Sequence, residues 1–176
     1  TFESNSQLEI IDDGAFRSSG LTSIIVPASV TTIDDYAFND CSDLTSITFA
    51  SGSLLEFIGF AAFIGTGLAS ITIPASVTTI ESYAFKQSSV MTSVTFESDS
   101  LLQSIGYELL QSSLLLTSII IPASVTTIGS FAFRDCPLLT SVTFESGSQL
   151  QSISDGAFES SGLTSIIIPA SVTTIG

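Results

Sequence analysis

Leu21-Thr22-Ser23-Ile24-Ile25-Val26-Pro27-Ala28-Ser29-Val30-Thr31-Thr32-Ile33 decides how this chain is read. Strand alternation turns Leu21, Ile24 and Val26 inward and Ser23 and Ile25 outward. Pro27 cannot donate to a ladder, so the strand ends there. Val30 and Ile33 then supply a second inward pair.

The stretch recurs along the chain. Thr-Ser-Ile or Thr-Ser-Val starts at Thr22, Thr45, Thr92, Thr117, Thr140 and Thr164, with Ala69-Ser70-Ile71 as a variant. The preceding apolar residues, Leu21, Leu44, Leu68, Met91, Leu116, Leu139 and Leu163, are 23 to 25 residues apart. A second landmark, Ile-x-x-x-Ala-Phe, begins at Ile11, Ile33, Ile58, Ile80, Ile128 and Ile153; at Ile105 it gives way to Leu109-Leu110. Two repeat types alternate. One runs into Pro-Ala-Ser-Val-Thr-Thr-Ile at Pro27, Pro74, Pro122 and Pro169. The other runs into Phe-Glu-Ser-x-Ser at Phe2, Phe96 and Phe144, with Phe49-Ala50-Ser51-Gly52-Ser53 as a variant. The higher-order period is 47 or 48 residues, as duplication of a two-rung unit would leave it.

A unit of this length cannot bury its own apolar face, so neighbours must stack to complete a core. No stretch keeps a helical period, and the recurring Ile, Val, Thr and Ser alternate as in strands. The expected fold is a repeat solenoid of the leucine-rich-repeat kind, mainly β with short helical or 3-10 turns, in about seven rungs of 23–25 residues. Residues 1–176 read as a single solenoid, a segment of a longer chain, because both ends fall inside a repeat and neither carries a polar capping repeat.

Composition excludes several functions. The chain of 176 residues has 17 acidic and 3 basic side chains, no His and no Trp, and a formal net charge of −14. At 44% hydrophobic and 11% charged it is too apolar for a disordered acidic tail. Phosphate backbones and anionic membranes need clustered Lys and Arg, so neither is an expected partner. Without His there is no Ser-His-Asp triad and no Cys-His pair. Thr1-Phe2-Glu3-Ser4 lacks the basic and apolar regions of a signal peptide. The longest apolar runs, such as Leu114-Leu115-Leu116 and Ile119-Ile120-Ile121, fall far short of the roughly 20 residues that span a bilayer. No membrane insertion is expected.

Val26-Pro27-Ala28-Ser29-Val30-Thr31-Thr32-Ile33-Asp34-Asp35-Tyr36-Ala37-Phe38-Asn39-Asp40-Cys41-Ser42-Asp43-Leu44-Thr45-Ser46-Ile47 resembles the hallmark Ile-Pro-x-x-Val-x-x-Ile-x-x-x-Ala-Phe-x-x-Cys-x-x-Leu-x-x-Ile of BspA-like, or Treponema pallidum-type, leucine-rich repeats. The stretch from Ile121 to Val142, with Cys136, matches equally well, and the resemblance extends over the whole chain. It implies a solenoid on a secreted or surface-anchored protein, often an adhesin for host matrix proteins or other cells. The hallmark is a core motif, so no individual binding residue carries over. The Phe-Glu-Ser-x-Ser repeats lack the Pro, so alternate rungs need not present the same surface.

Candidate sites follow from position. Cys41 and Cys136 lie four rungs apart, about 19 Å by strand spacing. That is too far for a disulfide, and they read as buried inert thiols. They belong to a column of small residues: Ser19, Cys41, Thr66, Ser88, Ser113, Cys136 and Ser161. Arg17, Lys86 and Arg134 each follow the Ala-Phe landmark and mark a solvated edge, with pairing to acids on that edge as the alternative. Asp12, Asp13, Asp34 and Asp35 occupy matching places on adjacent rungs, a weak calcium candidate without an Asp-x-Asp-x-Asp-Gly loop. No acid pair stands apart as a glycosidase would need. No metal, cofactor or catalytic residue is expected, and the chain does not read as an enzyme.

The outward strand positions carry the best functional signal. Their first row is Ser23, Ser46, Ser70, Ser93, Ser118, Ser141 and Ser165; their second is Ile25, Thr48, Thr72, Thr95, Ile120, Thr143 and Ile167. The expectation is an extracellular or cell-surface binding or adhesion module that offers this face to a protein or glycan partner. Duplication alone would also leave the rows uniform. Ice binding is disfavoured by Ser in the first row and by three Ile in the second. The alternative function is a structural spacer, stalk or filament component, with neighbouring repeats or subunits as partners at uncapped ends.

Overall fold

The computed structural model describes every residue except Thr1 and Ser4. The strands are numbered in chain order. Six coils carry a main strand of four residues: β2 (Ser23–Val26), β4 (Ser46–Phe49), β6 (Ser70–Ile73), β8 (Ser93–Phe96), β10 (Ser118–Ile121) and β12 (Ser141–Phe144). The two-residue strands are β1 (Ile10–Ile11), β3 (Thr32–Ile33), β5 (Phe57–Ile58), β7 (Thr79–Ile80), β9 (Ser104–Ile105), β11 (Thr127–Ile128), β13 (Ser152–Ile153) and β14 (Thr174–Ile175). All pairings are parallel and hold the repeat in register, with Ser23 opposite Ser46, Val26 opposite Phe49 and Ile11 opposite Ile33.

The core is the inward half of the alternation. Ile24, Val26, Val30 and Ile33 are buried, as are Ile71, Ile73, Val77 and Ile80 two rungs on. Phe38, Phe63, Phe85 and Phe133 fill the centre beneath their buried alanines. Their rings stack along the solenoid: Phe16 on Phe38, Phe38 on Phe63 and Phe63 on Phe85, at centroid spacings of 5.2, 5.3 and 5.3 Å. Leu110 interrupts the column, which resumes with Phe133 on Phe158 at 5.4 Å.

The main strands do not form one sheet. β2 pairs with β4, β6 with β8 and β10 with β12, and no ladder joins β4 to β6 or β8 to β10. The proline explains this. After β4, β8 and β12 the amides of Ala50, Glu97 and Glu145 each donate to the preceding rung, at Val26, Ile73 and Ile121, all at 3.0 Å. Pro27, Pro74, Pro122 and Pro169 occupy that place on the other rungs and have no N–H to donate. Every second interface therefore opens into a seam.

The two-residue strands form two sheets, β1-β3-β5-β7 and β9-β11-β13-β14, broken once between β7 and β9. That break lies where the main strands β6 and β8 are paired. Conversely, β5–β7 and β9–β11 are paired where the main strands part. The two kinds of opening never coincide.

The third side holds the rungs together without interruption. Amides of alternate residues donate to the next rung: Tyr36 to Phe60, Phe38 to Ala62 and Asp40 to Ile64, at 2.9, 2.8 and 2.8 Å, and so on to Phe133 to Ala157 at 2.8 Å. The expected helical or 3-10 turns are absent here; no helix occurs among the described residues. Each of these turns contains a left-handed residue in two places, such as Tyr36 (φ 55°) and Asp40 (φ 57°), and a left-handed residue stops any right-handed helical run. The main-chain groups thereby point along the solenoid axis toward the next coil.

Candidate functional site

Strand alternation sets the outward rows where the sequence places them. Ser23, Ile25, Ser46, Thr48, Ser70 and Thr72 are exposed, and Ile25 and Ile120 are 56% and 59% exposed. The seventh rung continues both rows as Ser165 and Ile167, both exposed but outside any assigned strand. Thr72 and Thr95 hydrogen-bond each other through their hydroxyls at 2.9 Å.

The serine row differs from the other repeated hydroxyls. Ser29, Ser76 and Ser124 each bridge two carbonyls of the preceding rung; Ser76 donates to Ser53 at 3.1 Å and to Leu55 at 2.7 Å. Thr31, Thr78, Thr126 and Thr173 donate to Glu9, Glu56, Gln103 and Gln151. Ser6, Ser53, Ser100 and Ser148 accept from amides two residues on. Those columns build the fold. Among the described residues, no side-chain hydrogen bond involves the hydroxyls of the seven outward serines; the nearest such bond on this face joins Thr72 and Thr95.

The seams cut grooves across this face. Between β4 and β6 lies a groove of about 320 Å³ lined by Ser46, Thr48, Phe49, Ser70, Thr72 and Glu97. Between β8 and β10 lies one of about 200 Å³ lined by Ser93, Thr95, Phe96, Ser118, Ile120 and Glu145. A third, of about 630 Å³, separates β12 from the seventh rung and includes Thr143, Phe144, Ser165 and Ile167. Glu97 and Glu145 are anchored by one oxygen each: Oε2 accepts from the amide of Ala75 or Ala123, both at 3.0 Å. The half-buried Phe49 and Phe96, and Glu97 and Glu145 from two rungs further on, were not expected at a site. The signal for them lay in the proline spacing, which dictates where the sheet must open.

Three of the four acidic candidates bind backbone amides. Asp12 and Asp34 each accept from the next residue's amide, at 2.9 and 2.8 Å, and Asp35 Oδ1 accepts from Phe60 N at 2.7 Å. No group of three or more His, Cys, Asp or Glu is arranged to hold a metal among the described residues.

The basic residues are more engaged than a solvated edge. Tyr36, Phe60, Tyr83, Tyr107 and Phe131 form a column of edge-on rings at centroid steps of 5.5, 5.0, 5.4 and 6.0 Å. Arg17, Lys86 and Arg134 lie over Tyr36, Tyr83 and Phe131. Lys86 also pairs with Glu108, and Arg134 with Asp135 and Glu159. Burial works to raise the Glu108 carboxyl, but hydrogen bonds from Lys86 and Tyr107 and the nearby cations hold it below its ordinary value. The bond to Glu108 pushes the Tyr107 phenol up to about 12.

Both cysteines are free and buried. Cys41 donates to Phe16 O at 2.8 Å and Cys136 to Leu110 O at 3.3 Å, each reaching one rung back. Burial raises the Cys136 thiol to about 11.

The chain belongs to the BspA type leucine-rich-repeat family. Its family model, BspA type Leucine rich repeat region, matches residues 1–89 and 56–176 in six copies. No curated protein matches the chain. Among solved structures it is similar to the pneumococcal vaccine antigen PcpA, at 30% identity over 81% of this chain and 37% of that one, with a TM-score of 0.76. A leucine-rich repeat protein from Bacteroides ovatus matches at 28% identity over 96% of this chain and 49% of its own, with a TM-score of 0.73. A leucine rich cell surface protein from Faecalibacterium prausnitzii shares the fold at 20% identity and a TM-score of 0.51, over 92% of this chain and 61% of that one. The chain thus spans less than two thirds of each of these relatives. No helix among the described residues is long and apolar enough to cross a membrane.

Proposed function

We propose that this protein is a non-enzymatic binding or adhesion module, extracellular or on a cell surface, which offers its Ser/Thr/Ile strand face to a protein or glycan partner. The observation that carries the reading is the serine row. Six exposed serine hydroxyls and the half-buried one of Ser93 repeat at one position without a side-chain hydrogen bond, although the Ser29, Ser76 and Ser124 column and the Thr31, Thr78, Thr126 and Thr173 column bind the preceding rung. Partner contact gives such groups their missing bonds. Many weak contacts spread over successive rungs add up through multivalency. The location is supported by the similarity to a vaccine antigen and by the family's repeat architecture.

The test is a doubly charged face. Thr72→Lys with Thr95→Lys places two ammonium groups on adjacent rungs, exposed and away from the core. Capture of immobilised matrix proteins and glycans by the protein is expected to fall at least tenfold, with the circular dichroism spectrum of the folded solenoid retained. Undiminished capture rejects the face.

A second reading, a stiff spacer or stalk, draws on the unbroken main-chain ladder of the turn side. It expects the lysine variant to behave as the parent. It also expects deletion of one two-rung unit only to shorten the rod.

A further inference from the structure

We infer that the seam grooves are subsites for a neutral, extended β-linked glycan lying along the solenoid axis, with one sugar ring seated at each seam; this rests on the strand-face reading above. The chemistry of the groove selects the ligand. Between β4 and β6, Phe49 supplies an apolar aromatic side chain, Glu97 a carboxylate, and Ser70 and Thr72 hydroxyls. Between β8 and β10 the aromatic is Phe96, the carboxylate Glu145 and the hydroxyls those of Thr95 and Ser118, with Ile120 in the place of Thr72. A pyranose has complementary parts: a C–H face for the aromatic ring and ring hydroxyls that donate to the carboxylate. Only Oε2 of Glu97 and of Glu145 is bonded within the protein, so Oε1 remains to accept.

Charge narrows the class. The grooves contain no Lys or Arg, and the chain's net charge is −14. A sulfated or uronic glycan would therefore meet repulsion without a counter-charge. A peptide strand is disfavoured by space. The rungs on either side of a seam remain stacked through their two-residue strands and their turn amides. An inserted strand would have to sit about 4.8 Å from each neighbour.

Spacing supplies the register. Seams recur at every second rung, which is about 10 Å along the axis. An extended β-1,4-linked glycan advances by about two rings over that distance, so alternate rings meet successive grooves. The rings between them cross the paired strands, where the serine row faces their hydroxyls.

Calorimetric titration of the full chain with cello- and chito-oligosaccharides of two, four and six rings tests this. Affinity is expected to rise about tenfold or more for each added disaccharide, as linked sites do. The double variant Glu97→Gln with Glu145→Gln should lose about tenfold on the six-ring probe at unchanged melting temperature, because the amide oxygen still accepts from Ala75 and Ala123. Absence of binding at millimolar probe, affinity that ignores length, or a variant that binds like the parent each overturns the glycan subsites. The lysine variant of the strand face separates the two readings. Loss of matrix-protein capture without any oligosaccharide binding removes the glycan and leaves the face. Loss of neither removes both.

Discussion

The rings of Phe38 and Phe63 lie 5.3 Å apart and within 5° of parallel, each fully buried, although one belongs to a Pro repeat and the other to the alternate type. The two repeat types differ on the surface but share one aromatic column. Phe63→Ala is expected to cost about 3–5 kcal/mol, the loss of a buried ring plus the cavity it leaves. Phe63→Leu should cost markedly less, since Leu110 already occupies the column without breaking the turn ladder: its amide still donates to Ala132 at 2.9 Å. Urea denaturation of both variants measures the difference.

Serines of equal frequency should differ in weight. Ser76→Ala removes two bonds to the preceding rung and is expected to destabilise by about 1–2 kcal/mol. Ser70→Ala removes an exposed hydroxyl without a partner and should fall within about 0.5 kcal/mol of the parent. Equal losses in denaturant midpoint for the two variants would contradict the assignment of one column to the fold and the other to the surface.

The seams predict a pattern of hydrogen exchange. Thr45, Thr92 and Thr140 donate their amides to Thr22, Ala69 and Thr117 within paired units, at 3.0, 2.8 and 3.0 Å. Ala69 and Thr117 stand at the same position across the seams, where no ladder forms. Their amides should exchange at least tenfold faster. Uniform protection over all five would mean the sheet is continuous.

Glu108 gives the stability a pH dependence of known sign. Its folded-state value is depressed, so its contribution is complete above the ordinary glutamate value of 4.5 and is lost as pH falls through the lowered one. The stability difference between the parent and Glu108→Gln should therefore be largest near neutrality and shrink toward pH 3. Chemical denaturation at a series of pH values reads it directly. A difference that grows on acidification would reverse the sign.

Thiol chemistry offers a probe of unfolding. With the Cys136 thiol raised to about 11, almost none is thiolate at neutral pH, and both cysteines are buried. A disulfide reagent at neutral pH should label neither Cys41 nor Cys136 until denaturant is added. Prompt labelling of either in the native protein would show that its rung opens.

Much of the coil was legible in the residues. Ile24 and Val26 had to face inward because Ser23 and Ile25 alternate with them, and the repeats left no other register. The turn segments were misread as helical because Ala-Phe and its polar neighbours have no period of their own. Their conformation depends on left-handed residues such as Tyr36 and Asp40, whose side chains carry no obvious sign of it. The Pro27 type of strand end was recognised as a stop, but its effect on the neighbouring coil was not. A proline's missing donor matters to the strand beside it, which a reading along the chain does not reach. The edge-on column from Tyr36 to Phe131 was hidden for a related reason. Phe60 and Tyr107 sit one residue earlier in their repeats than Tyr36, Tyr83 and Phe131, so the column is aligned in space and not in sequence.

The staggered openings bear on how such a gene can change length. A crossover between copies that adds or removes 47 or 48 residues joins a Pro rung to an alternate rung in the existing order, so every new junction meets the same ladder partners as the old. A crossover of one rung would bring two prolines, or two of the other ends, side by side and disturb the main strands. Inheritance in even steps is thus the tolerated route, and populations are expected to differ by whole pairs.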